Sequence, residues 1–97
     1  MIRCSVKSEN GKTEIHLKGH AGYAVKGCDI VCAGVSALYQ TLILSLSDVT
    51  ETHVAYENDE HIIAAMNTYE SDLLIRSFLT GYESIAEEYP DYASIDK

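Results

Sequence analysis

The chain opens on a strict alternation. Ile2, Cys4 and Val6 alternate with polar residues, as do Thr13, Ile15 and Leu17, which is the period-2 signature of two half-buried strands. Ser8-Glu9-Asn10-Gly11 separates them and contains Asn-Gly, a pair that tolerates the positive φ of a tight hairpin turn. The pattern then breaks. Gly19 to Gly27, with Gly22 and Lys26 between, shows neither period, and its glycines predict a mobile loop. Ile30 to Ser47 is an uncharged run of 18 residues with Val31, Val35, Leu38, Leu42, Ile43, Leu44 and Leu46 spread around a helix. The spacing predicts a helix over 30–47, with Asp29 as its N-cap. A helix apolar on most sides needs several covers: a sheet on one face and a partner subunit on another.

A second hairpin is predicted at about 50–56 and 61–67, turning through Glu57-Asn58-Asp59-Glu60. Thr52, Val54 and Tyr56 alternate on one face, and Ile62, Ala64 and Met66 do so in the return strand. Asn67 to Glu70 has capping-box spacing, and Leu74, Phe78, Tyr82, Ile85 and Tyr89 then recur at helical spacing, widened by Ile75 and Leu79. Pro90 ends that helix, leaving residues 91–97 as a polar, frayed tail. The order ββαββα describes one α+β domain over 1–97, an antiparallel sheet packed on two helices.

Composition narrows the functions open to such a domain. The chain has 97 residues and a formal net charge of -8. That size excludes a separate cofactor-binding lobe. The acidic balance argues against nucleic acid, which needs a basic footprint. The charge is lopsided: residues 1–49 carry five basic and four acidic groups, whereas residues 50–97 carry two and eleven. Such a field steers basic partners, although solubility alone accounts for it equally well. Three cysteines, Cys4, Cys28 and Cys32, with no secretory signal at the start, point to free thiols in a reducing cytoplasm. The apolar run is short for a membrane span and reads as a buried helix.

The chemistry concentrates in GHAGYAVKGCDIVCAGVS, residues 19–36. Cys32 falls in the first turn of the predicted helix, where unpaired N–H groups and the helix dipole favour an anion. A thiolate is stabilised there, and the N–H groups of Cys32 and Ala33 are placed to hold the oxyanion of an attacked carbonyl. His20, at the exit of the second strand, can serve that thiol as base and then as acid. Asp29 either orients the imidazole or only caps the helix. Gly22, Tyr23, Gly27, Ala33 and Ser36 are candidates for contact with substrate, and Tyr39 for the wall of a cleft. Each signal has a plain structural reading: a small buried Cys, a surface His, glycines that only make turns. Cys28 and Cys32 with His20 also permit a zinc or redox site, but a single C-x₃-C unit with no evident fourth ligand is poor metal spacing.

GHAGYA followed by G-x-D-I-V-C-A-G-V-S resembles the paired signature of the ribosomal-processing cysteine proteases, the Prp family, and the likeness extends to length and element order. The resemblance implies a cytoplasmic, homodimeric cysteine endopeptidase without cofactor or metal. Its substrate is a large-subunit ribosomal protein whose short N-terminal extension obstructs peptide-bond synthesis until it is removed. It carries the catalytic histidine onto His20, the nucleophile onto Cys32 and a supporting aspartate onto Asp29. The acidic half then suits a basic ribosomal protein. Two other readings stay open from the residues alone: a ribosome-associated module that binds without cutting, and a thiol redox or metal protein that needs Cys28 as much as Cys32.

Overall fold

A computed structural model of the chain describes residues 1–25 and 27–96; Lys26, within the predicted loop, and Lys97 lie outside them. Its elements are β1 (Ile2–Glu9), β2 (Lys12–Lys18), α1 (Ile30–Val49), β3 (Thr52–Glu57), β4 (Glu60–Met66), α2 (Tyr69–Glu88) and β5 (Ala93–Asp96). The strands form one sheet in the order β3-β4-β2-β1-β5. Both hairpins turn as the sequence predicts, through Asn10-Gly11 (φ 56° and 74°) and Asn58-Asp59 (φ 53° and 62°). Paired positive φ values match the right-handed twist of the flanking strands.

Two features of the sheet depart from the prediction. The C-terminal segment is not frayed: Ala93–Asp96 pairs parallel with Ile2–Ser5, making the sheet mixed and five-stranded. Tyr82, fully buried on α2, fixes that strand by donating its hydroxyl to Ser94 O (2.9 Å) and Ile2 O (3.2 Å). The core side of β4 is Ile63 and Ala65, while Ile62 and Ala64 lie on the other face and Met66 is exposed. The run Ile62-Ile63-Ala64-Ala65 is apolar at every position, so alternation there carries no parity. Pairing with β2 supplies it, by setting Ile63 opposite Ile15 and Ala65 opposite Thr13.

The core lies between the sheet and the two helices. Val31, Val35, Tyr39, Leu42 and Leu46 of α1 and Ile75, Phe78 and Tyr82 of α2 cover Ile2, Cys4, Ile15 and Leu17. Burial pushes the Cys4 thiol up to about 12, so it packs as a small hydrophobe and is inert at neutral pH. α2 is capped one residue later than predicted: Thr68 is the N-cap, and Thr68 and Ser71 bond each other's backbone N–H. α2 covers a further side of α1, where Ile85 meets Gly34 and Leu38 meets Gly81, whereas Ile30 and Leu44 on the far side of α1 stay exposed.

Candidate active site

Asp29 organises the start of α1. It sits at φ −85°, ψ 100°, the extended geometry of an N-cap, and its Oδ1 accepts from Cys32 N–H at 3.0 Å. The other carboxylate oxygen accepts from Tyr23 N–H at 3.0 Å and Ala24 N–H at 3.4 Å. The hydrogen bond from Cys32, helped by those from the loop, holds the carboxyl below its ordinary range despite the opposing effect of desolvation. One side chain therefore ties the helix start to the loop that precedes it. Of the two roles open to Asp29 in the sequence, the geometry displays the cap, with a loop clamp added to it.

This arrangement corrects the expected oxyanion donors. Cys32 N–H is taken by the Asp29 side chain, and Ala33 N–H donates to Asp29 O at 3.0 Å. Neither is free to receive a developing charge in this conformation. The field of the α1 N-terminus still favours negative charge at Cys32.

The loop is also less free than its composition predicts. Ala21 is 3 % exposed and belongs to the core, and Cys28 N–H donates to Val25 O at 2.9 Å. The Tyr23 ring packs edge-on against Tyr89 and Tyr92, with centroids 5.5 and 5.2 Å apart. Tyr23 is thus an anchor of the loop, and the described residues that line the two clefts at Cys32 do not include it.

Two clefts meet at Cys32. The larger, about 570 Å³, is bounded by Gly22, Ala24 and Gly27 of the loop, Asp29, Ala33 and Ser36 of the helix, and by His20 and Cys32. The smaller, about 190 Å³, also contains His20, Cys32 and Ser36 and is closed by Tyr39, Gln40, Tyr56, Asp59 and His61. His20 is thereby brought to the same side of the molecule as Cys32 from the end of β2. Gly19 makes the exit possible. It holds φ +89°, and a Cβ there would stand 2.5 Å from Met1 O, so only glycine lets β2 leave past the N-terminus. No hydrogen bond joins His20 to Cys32; the ring, 77 % exposed, has Nε2 3.6 Å from Asp59 Oδ1.

Tyr56, Asp59 and His61 are the residues that sequence reasoning missed. They sit around the β3–β4 turn, and only the β2–β4 register, with Lys18 opposite Glu60 and Leu17 opposite His61, brings that turn beside His20. Their one local signal is a polar and aromatic cluster at a turn, which reads as solvation. Cys28 is exposed at the end of the loop, and among the described residues no three His, Cys, Asp or Glu side chains converge as metal ligands.

A cysteine in the first turn of a capped helix thus shares its clefts with a histidine from a neighbouring strand end, and the class of protein is a cysteine peptidase by its family. The chain belongs to the cysteine protease Prp family, whose pattern matches residues 1–94. The ribosomal processing cysteine protease Prp of Staphylococcus aureus is 30% identical over 94 residues, covering 91% of this chain and 89% of that protein. The fold superposes with a TM-score of 0.89 on the crystal structure of the S. aureus protease with a covalently linked product peptide, at 25% identity and coverage of 99% and 98% of the two chains. A Streptococcus mutans protein of known structure is similar at a TM-score of 0.70 and 28% identity, over 99% of this chain and 92% of that one.

Proposed function

We propose that this cysteine peptidase removes a short N-terminal extension from a large-subunit ribosomal protein, with Cys32 as nucleophile and His20 as general base and acid. The observation that carries the reading is that Cys32, at the positive end of α1, and His20 line the same two clefts. The covalently linked product peptide of the S. aureus relative supports a covalent route. His20 takes the Cys32 proton, and the thiolate attacks the scissile carbonyl carbon. As the C–N bond breaks, His20 returns the proton to the departing amine, leaving a thioester. Water, deprotonated by His20, attacks the thioester carbonyl, and the thiol leaves with its proton restored. An extended peptide enters along the larger cleft, between the loop and Ser36.

A basic substrate suits the acidic second half of the chain, and free thiols suit a cytoplasmic enzyme. The exposed Ile30 and Leu44 on α1 suit the seam of a homodimer. Sedimentation then reads twice the mass of the 10.7 kDa chain, and Leu44→Asp returns it to monomer.

Mass spectrometry of the unprocessed ribosomal protein, after incubation with wild type, Cys32→Ala and Cys28→Ser, tests the activity. One defined N-terminal cut by wild type and Cys28→Ser, absent with Cys32→Ala, is the expected result. Substrate that is bound but intact in all three reactions overturns the reading and leaves a binding module. Loss of activity in Cys28→Ser as well as Cys32→Ala points to the redox pair instead.

A further inference from the structure

The tip of the β3–β4 hairpin makes a contact that thiol–imidazole chemistry alone does not explain. His20 Nε2 faces Asp59 Oδ1 at 3.6 Å, and the Tyr56 hydroxyl donates to that same oxygen at 3.0 Å. The Tyr56 ring leans on His61, with centroids 4.4 Å apart, and the other neighbour of His61 is Tyr39 on α1, at 5.1 Å. The carboxylate is therefore also held by a hydroxyl whose ring, though largely exposed, rests on His61. An imidazole has two nitrogens, and the hydrogen bond made by one decides which of them carries the proton.

We propose that Asp59 is the positioning residue for His20. On closing the present 3.6 Å gap, its carboxylate accepts Nε2–H, which leaves Nδ1 as the basic nitrogen for Cys32 and stabilises the imidazolium formed when the thiol ionises. Tyr56 fixes the carboxylate for that task. Asp59 acts through His20 and need not touch the substrate; the inference rests on His20 serving as the base of Cys32. Around the imidazole, Cys32 and Asp29 belong to the α1 side of the clefts, and Tyr56, Asp59 and His61 to the hairpin side. Of these groups, Asp59 is the one in ion-pair contact with the ring.

The pH dependence of Cys32 alkylation by iodoacetamide tests this without any substrate. The full chain carries Cys28→Ser as background, because Cys28 is exposed, while buried Cys4 stays unreactive. Asn tolerates the left-handed φ of +62° at position 59, so Asp59→Asn keeps the turn, and equal melting temperatures check that it does. The background chain supplies the reference profile of alkylation rate against pH. Asp59→Asn slows alkylation about tenfold near neutrality and moves the rate profile to higher pH, toward that of His20→Ala, a fold-change typical of a lost hydrogen-bonded charge. Tyr56→Phe moves it less, in the same direction. A profile for Asp59→Asn that superimposes on the background while His20→Ala is displaced overturns the role of Asp59, whether or not the variant melts earlier. A His20→Ala profile that also superimposes removes the base assignment itself, and the proposal with it.

Discussion

Gly19 shows how tightly one residue constrains the site. Its backbone conformation and the approach of Met1 O both exclude a side chain, and the very next residue is His20. Gly19→Ala is expected to cost about 1–3 kcal/mol, the usual range for forced backbone strain. A urea titration reads this as a lowered midpoint with unchanged slope; an unchanged midpoint shows that the N-terminus gives way freely. Asp29 acts by accepting hydrogen bonds. Asp29→Ala releases the N–H groups of Tyr23, Ala24 and Cys32 together, and amide exchange at those three positions is expected to accelerate at least tenfold. Asp29→Asn, a competent cap, keeps most of the protection at Cys32. The carboxyl lies below its ordinary 3.8 in the folded chain, so its contribution is complete above that value and is lost only as pH falls through the lower, folded one. Loop protection in the native protein is therefore flat across neutral pH and decays in acid.

The legibility of the elements followed the range of the interactions that set them. The Asp29 cap, the Asn10-Gly11 turn and the stripe Ile75, Phe78, Tyr82 depend on neighbours within a few residues, and the sequence displays them directly. Cys32 and His20 were legible as candidates for the same reason, because a helix start and a strand end are local features. The facing of β4, the strand at Ala93–Asp96 and the approach of Asp59 to His20 all depend on pairings between distant segments. The fastenings of the loop, Ala21 in the core and Tyr23 on Tyr89 and Tyr92, are likewise contacts with remote elements that its composition does not display. One inter-strand tie carries a pH signature. On the outer face of the sheet His16 bridges Glu14 (Nε2 to Oε1, 3.0 Å) and Glu60 (Nδ1 to Oε1, 3.3 Å), joining β2 to β4. Desolvation alone would lower its pKa, but the hydrogen bonds to Glu14 and Glu60 outweigh it and raise it above 6.5. A raised folded value means stability that is complete below the unfolded value and lost as pH rises through the folded one. Melting temperature is expected to fall as pH rises from below 6.5 through the higher, folded value of His16, and His16→Gln to flatten that slope. A variant with the wild-type slope removes His16 as its source.

At the scale of the whole molecule, the helices hold the sheet and the sheet holds the clefts. Tyr82 is the pin between them: its hydroxyl reaches across the core to Ile2 O on β1 and Ser94 O on β5, and burial raises its pKa well above the ordinary range. Tyr82→Phe leaves two strand carbonyls without that donor and is expected to cost about 1–2 kcal/mol. Hydrogen exchange should show the loss first at Ala93–Asp96, with α1 affected least; uniform loss across the sheet would mean that β5 is held by its ladder alone.

The parallel pairing of β5 with β1 also has a meaning in time. Ile2 lies opposite Ala93, so this contact closes a loop of almost the whole chain, whereas both hairpins close over a few residues. Local closures form early and such a long-range one forms late. Until it does, β1 presents an open edge, and the strand that runs under Gly19 lacks its outer neighbour. While this pairing is still to form, Cys32 already has its helix, but β1, the neighbour of the strand that leads to His20, is braced on one side alone.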